Sequence, residues 1–379
     1  MPTPTDPWIN ARRIVVKIGS SLLVDPNSGA LRSGWLASLA NDVAQLRAAG
    51  KDVVLVSSGA IALGRNLIGF STSNLELEKS QAAAAVGQIS LAHAYQEAFR
   101  SHGLTTAQIL LTLGDTEERR RYLNARRTIE TLMSHGAIAV VNENDTVATA
   151  EIRYGDNDRL SARVASMVSS DCLVLLSDVD GLYTTPPGSG QMGRRLDVVQ
   201  NVTPTIEAMA GDAGTNLSRG GMRTKIEAAK ITRAAGANMV IASGRVDNPL
   251  KQLSEGAPCT WFIAPSDPVT ARKRWIGGQL APTGAVRIDL GAERALLQGK
   301  SLLPAGVIEI LGAFDRGDAI KILTSEGQEL GRGLVAYANG DARRIMGRKS
   351  GEIPIILGHK GRSELIHRDD MVLNRKTTK

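Results

Sequence analysis

From Arg12 to Ala264 the apolar positions alternate between two kinds of run. Short, nearly unbroken aliphatic runs (IVVKI, VVLVSS, AQILLTL, AIAVV) are separated by longer segments with helical spacing, Ser33 to Ala49, Ser80 to Arg100 and Glu117 to His135. After a polar segment, Arg159 to Ser169 reads as helix, CLVLLS as strand, Met222 to Ala235 as helix, and NMVIAS and CTWFIA as strands. Strand and helix in regular alternation predict an α/β protein, a three-layer αβα sandwich with a mostly parallel central sheet and ligands at the carboxyl ends of the strands.

The pattern changes beyond Ala264. Residues 265–283, SDPVTARKRWIGGQLAPTG in large part, mix Pro, Gly and a basic run and read as a connector with some structure of its own. In residues 284–364 the β-type runs AVRIDL, SLLPAGVIEILGAF, AIKIL and GLVAYA, with a helical patch at Asp341 to Met346, predict a small β-barrel-like domain. Residues 1–10 read as a flexible start and 365–379 as a C-terminal tail, mobile from Asn374 onward, around a large domain at 11–264.

Length agrees with two domains, since 379 residues exceed the roughly 250–300 at which one core stops growing. No apolar run nears the ~18 residues that span a bilayer, and MPTPTDPWIN lacks the pattern of a signal peptide, so a cytoplasmic protein with no membrane partner is expected. Cys172 and Cys259 have no CxxC spacing and read as inert core thiols. The net charge of +7 suits anionic ligands.

Candidate chemistry lies where strands end. Lys17 closes a strand and Gly19 opens a turn whose N–H groups can face a phosphate, although an edge lysine could equally snorkel to solvent. Ser57, Ser58 and Gly59 follow the next strand and suit either a ligand crevice or an ordinary helix cap. In SRGGMRTK, Ser218 to Lys225, a glycine pair leads into a helix whose first turn carries Lys225, an unfavourable place for a cation unless an anion is bound. Ser177, Asp178 and Asp180 end another strand and fit a nucleotide pocket, a Mg²⁺ ligand set or a plain Asp-Gly turn. Between Asn142 and Asp158, eight of seventeen residues are Asn, Asp or Glu, which suits either a site that holds an ammonium group and orients a lysine or Mg²⁺, or a solvated turn region. GSGQMG, Gly188 to Gly193, matches a dinucleotide fingerprint only formally, since it follows two prolines and opens no helix, and no Walker A spacing is present.

Taken in order, VVKIGSS, VSSGAIALG, LNARRTIETL, VNENDTVATAEIRYGDNDRLSA and RGGMRTK resemble the glutamate 5-kinases of the amino-acid kinase family, over nearly the whole chain. GKSLLPAGVIEILGAFDRGDAI and NGDARRIMG resemble the PUA domain found in many of them. The resemblance implies the amino-acid kinase fold and transfer of a phosphoryl group from ATP, with Mg²⁺, to the side-chain carboxylate of L-glutamate, the first step of proline biosynthesis. It also implies feedback inhibition by proline and a homo-oligomer, dimer or tetramer. Carried over by position, Lys17 and Lys225 are the phosphate-binding lysines and Asp158 the carboxylate that organises them. Ser58, Asp145 and Asn157 bind the amino acid. Gly19, Ser177, Asp178, Arg219, Gly220, Gly221, Met222, Arg223 and Thr224 join the lysines around the nucleotide, and no protein cage for a metal is implied. Arg219 stands where the family pattern has a small hydroxyl residue.

The chemistry agrees with this on its own terms. A carboxylate acceptor, ordinarily with a pKa near 4.3, is ionised at neutral pH and needs no general base, so a chain with five His is adequate. Competing readings are a kinase for aspartate or acetylglutamate and an RNA-binding PUA protein. Against RNA, residues 284–379 contain only Phe314 and Tyr337 as aromatics, a poor stacking platform, which favours an oligomerising or regulatory role for that domain.

Overall fold

Along the strand β1 (Arg13–Ile18) the pleat sends Ile14, Val16 and Ile18 into one apolar cluster and Val15 into another, because successive side chains point to opposite faces. The same alternation repeats in β2 (Asp52–Val56), β4 (Ile138–Glu143) and β5 (Cys172–Ser177), whereas the edge strand β3 (Thr106–Leu111) buries only the face of Ile109 and Leu111 and exposes Gln108 and Leu110. The computed structural model describes residues 6–26, 28–70, 75–147, 157–185, 193–210, 221–278 and 281–374. It divides into two compact units, Met1–Pro268 and Val269–Lys379.

The first unit is built on an eight-stranded sheet that also includes β8 (Val198–Val199), β9 (Asn238–Ser243) and β10 (Cys259–Phe262), while β6 (Leu182–Tyr183) pairs with β7 (Arg195–Leu196) beside it. The order is β3-β4-β2-β1-β5-β9-β10-β8. The strands from β3 to β9 in this order pair in parallel, and β10 turns antiparallel to β9. Helices Ser33–Ala48, Ala60–Ile68 and Leu77–Arg100 cover one face through residues such as Leu39, Leu63 and Phe99. Helices Arg119–Ser134, Asn157–Met167 and Met222–Ala234 cover the other through Ile129, Val164 and Ala228.

Several boundaries in the first unit differ from the sequence reading for local reasons, and the stretch expected to be flexible includes a helix, Asp6–Asn10, whose Trp8 is buried in the core. β2 stops at Val56, so Ser57 and Ser58 lie just beyond it, where Gly59 adopts φ 104 to turn the chain into the next helix; a side chain there would be strained. The helix expected over 117–135 is Arg119–Ser134, preceded by a short helix, Leu113–Glu117, that a capping box of Thr112 and Asp115 starts. The strand expected at AQILLTL therefore ends at Leu111.

The second unit contains a five-stranded sheet of β11 (Gly284–Ile288), β12 (Val307–Gly312), β13 (Ala319–Leu323), β14 (Glu329–Leu334) and β15 (Met371–Leu373), in the order β12-β11-β13-β14-β15. Pro304 breaks the long run expected as one strand, forming a 3₁₀ turn at Pro304–Gly306 before β12. β14 precedes most of the expected GLVAYA, whose Val335, Ala336 and Tyr337 enter the core without belonging to the strand. A helix, Pro268–Gly278, occupies part of the stretch read as a connector, and within this unit Arg272 meets Asp370 at 2.6 Å.

Helices Ala60–Ile68 and Leu77–Arg100 touch backbone to backbone. A Cβ on Gly64 would lie 1.7 Å from the Ala83 carbonyl oxygen, and one on Gly87 would lie 1.9 Å from that of Ala60. Gly64→Ala should therefore force the helices apart and cost about 2 kcal/mol or more in urea unfolding. Gly34→Ala, where a Cβ meets nothing within 4 Å, should be neutral or stabilising by up to about 1 kcal/mol. Equal stability of the two variants would contradict the close crossing.

Candidate active site

The chain leaves β1 toward β2 on one side and places β5 on the other, which opens a crevice at their carboxyl ends. Lys17 follows Val15 on the pleat and so faces the layer of helices Asn157–Met167 and Met222–Ala234. Both helices start at this edge. Asp158 stands in the first turn of one and Lys225 in the first turn of the other, after the extended N-cap Gly221.

These three side chains meet. Lys17 Nζ lies 2.7 Å from Asp158 Oδ1, and Lys225 Nζ lies 3.1 Å from Asp158 Oδ2. The Thr224 hydroxyl is 2.8 Å from the same Oδ2 and 2.8 Å from the Gly221 carbonyl. Asp158 is 0% exposed, and the lysines are nearly as buried. Burial would push the Asp158 carboxyl up, but the two ammonium groups, with hydrogen bonds from Lys17 and Thr224, bring it down to about 2. The start of its own helix also favours the negative form. A Cβ on Gly19 would sit 3.9 Å from Lys17 Nζ, so glycine keeps open the space in front of that ammonium.

Beside this cluster, Asn157 Nδ2 donates to Ser58 Oγ at 2.8 Å. Ser58 thus accepts and keeps its own proton for a ligand, while Asn157 Oδ1 is buried with no partner among the described residues. The pair offers one donor and one acceptor side by side. Asp145, in the 3₁₀ turn Asp145–Val147 after β4, is half-buried, and burial pushes its carboxyl up to about 6. Asn142 holds the start of this segment by donating to Gln88 Oε1 at 2.8 Å and accepting from the Glu143 N–H.

On the other side of β1, Ser177 donates to Asp178 Oδ1 at 3.0 Å. Asp178 borders a cleft of about 570 Å³ walled by Val179, Tyr183, Val246, Pro249 and Leu253. Two buried polar groups brace its rim. Trp35 Nε1 donates to the Gly244 carbonyl at 2.7 Å, and Asp42 accepts from Asn248 Nδ2 and the Leu250 and Lys251 N–H groups.

The structure thus gathers Lys17, Gly19, Asp158, Gly221, Thr224 and Lys225 in one cluster, joins Ser58 to Asn157, and sets Ser177 beside Asp178. Thr224 turns its hydroxyl to Asp158, a role its sequence position did not suggest. Met222 opens its helix, and Arg223 lies 3.7 Å from Glu227. Arg219, Gly220, residues 148–156 of the polar segment and most of GSGQMG lie outside the described residues. Asp178 and Asp180, read as fitting a nucleotide pocket, do line the cleft, whereas its walls at Val246, Pro249 and Leu253, and Gln88, had no motif to mark them. Among the described residues no group of three or more His, Cys, Asp or Glu could hold a metal, and no helix is long and apolar enough to cross a membrane.

The chain matches the amino acid kinase family over residues 12–243 and the PUA domain over residues 284–357. It is 60% identical over 362 residues to a glutamate 5-kinase of Rhodopseudomonas palustris strain BisB5, covering 96% of each chain. It is 58% identical over 367 residues to a glutamate 5-kinase of Paramagnetospirillum magneticum, covering 97% of this chain and 99% of that one. Among solved structures, a carbamate kinase from Giardia lamblia bound to AMP-PNP is 17% identical, covering 67% of this chain and 99% of that one at a TM-score of 0.48.

Asp158→Asn would remove the carboxylate that two buried ammonium groups share. It should lower stability at neutral pH by about 3 kcal/mol or more, read by urea unfolding. Because the folded pKa lies below the ordinary value of about 3.9, the carboxylate stabilises the protein above that value and loses its contribution as pH falls toward about 2. The gap between wild type and variant should therefore narrow from pH 5 to pH 2.5; a gap constant across that range would contradict the ion triad.

Proposed function

The chain belongs to the glutamate 5-kinase group of the amino acid kinase family, and on that premise we propose that it transfers the γ-phosphoryl group of ATP to the side-chain carboxylate of L-glutamate. The product is glutamyl 5-phosphate, at the entry to proline biosynthesis. The observation that carries this reading is the buried carboxylate Asp158 holding Lys17 and Lys225 together beside the donor and acceptor of Ser58 and Asn157.

Each group then has a task set by its chemistry. The adenine ring occupies the cleft between Tyr183, Val246 and Leu253, and Ser177 and Asp178 lie on the path to the phosphates. The Ser58 hydroxyl donates to the α-carboxylate of glutamate, and Asn157 Oδ1 with Asp145 accepts its α-ammonium group. The ionised γ-carboxylate attacks phosphorus without proton removal. Lys17 and Lys225 neutralise charge on the phosphoryl oxygens, and Asp158 fixes their spacing before substrate arrives, so little reorganisation remains for the transition state.

Mg²⁺ fits this donor set as an ion carried by phosphate oxygens. Both oxygens of Asp158 are engaged by the lysines, so Asp178, which accepts from Ser177 and lies 4.0 Å from Arg245, would be the carboxylate to approach such an ion, whose charge would offset that of the phosphates.

Proline presents the same α-carboxylate and a charged amine, so Ser58, Asn157 and Asp145 can hold it in place of glutamate. Inhibition by proline is then competitive with glutamate.

The direct test is ATP- and glutamate-dependent hydroxamate formation with proline titrated in. Millimolar proline should raise the apparent KM for glutamate; a protein indifferent to proline removes the regulatory part, and one active on aspartate or acetylglutamate alone removes the substrate. Lys225→Ala should lower kcat by about 100-fold or more, and a near-normal kcat would remove its role. Asp145 must be ionised to attract an ammonium, and its pKa stands at about 6. The KM for glutamate should therefore rise as pH falls through about 6, while Asp145→Ala should show a high KM without that inflection. An equal rise in the KM for ATP would argue against the assignment.

A further inference from the structure

Ser57 and Ser58 are adjacent yet serve opposite sides of the sheet. Continuing the alternation of β2, Ser58 turns toward the layer of Asn157, and Ser57 turns toward the layer of helix Leu77–Arg100. There the buried Tyr95 hydroxyl donates to Ser57 Oγ at 2.9 Å. Ser57, itself 0% exposed, passes its own proton to the Ser58 carbonyl at 3.3 Å, and its N–H binds the Val141 carbonyl of β4 at 2.8 Å.

The Tyr95 ring packs against Phe99, with centroids 6.4 Å apart, and a phenylalanine would fill the same space. A buried hydroxyl costs stability unless it is bonded, and among the described residues this one bonds to Ser57. Burial also raises the phenol pKa well above its ordinary value, so it remains a donor at every working pH. The bonds form one ordered series from the core to the crevice: Tyr95 to Ser57, Ser57 to the Ser58 backbone, and Asn157 to the Ser58 hydroxyl.

We infer that Tyr95 is a positioning residue for the acceptor amino acid, holding Ser57 so that Ser58 and Asn157 present their free donor and acceptor at a fixed separation. The inference rests on the acceptor reading above and assigns Tyr95 no contact with substrate. It makes the helix Leu77–Arg100 a support for acceptor binding and leaves the nucleotide side, across β1, untouched.

Tyr95→Phe keeps the ring and removes only the hydroxyl. The KM for L-glutamate should rise about tenfold, the usual scale for one lost hydrogen bond, with kcat and the KM for ATP within about twofold of wild type. The double variant Ser57→Ala/Tyr95→Phe leaves neither buried hydroxyl unpaired, so it should regain any lost thermal stability yet retain the raised glutamate KM. If the double variant restores that KM, or if the KM values for glutamate and ATP rise together in Tyr95→Phe, the residue acts through stability alone and the inference fails. Absence of glutamate-dependent ADP release by the wild-type protein would instead refute the acceptor reading, and the inference with it.

Discussion

One buried carboxylate sets the terms for the crevice. Asp158 has no exposed surface and gives both oxygens to its neighbours, so the helices that carry it and Lys225 must begin at the same edge as the end of β1. An unpaired buried charge is costly, and that cost disfavours any packing that separates the three. Both helices carry small residues buried in the same core, Ala162 and Ala165 on one, Ala228 and Ala229 on the other, and short side chains allow close packing. Packing and charge thus impose the same geometry.

The pleat distributes the remaining polar groups. Lys17 and Ser58 fall toward one helical layer; Ser57 and Asn142 fall toward the other, where Tyr95 and Gln88 meet them. The groups toward the first layer are free to meet ligands, and those toward the second fasten strand ends to the helix behind. A strand end in this protein is therefore both a site and an anchor, according to the parity of the residue.

Much of this was legible in the chain. Lys17 beside Gly19 marked a strand end facing an anion, and Lys225 in a first helical turn was conspicuous because a cation there is unfavourable without a partner. The alternation of aliphatic runs with helical segments sufficed for the three layers. What stayed hidden depends on contacts between distant residues. Thr224 reads as one more polar residue of a glycine-rich turn until Asp158 is brought to it across 66 positions. Tyr95 in an alanine-rich helix reads as core, which it is, and only its hydroxyl tells more. The cleft was marked on one side only, by the strand end at Asp178 and Asp180; its other wall, Val246, Pro249 and Leu253, comes from a distant segment with no spacing to reveal it. In the second unit, Phe314 and Tyr337 are both buried, so neither aromatic residue of that region offers its face to a base.

The glycine crossing of helices Ala60–Ile68 and Leu77–Arg100 has a mechanical consequence. Where side chains separate two helices, rotamer changes can absorb small displacements; where Gly64 meets Ala83 and Gly87 meets Ala60 through main-chain atoms, nothing lies between to yield. Any shift of one helix is delivered undamped to the other, and so to the turn at Gly59 that carries Ser58. This corner of the molecule behaves as a welded joint, and the play that substrate entry and product exit require has to come from elsewhere in the crevice.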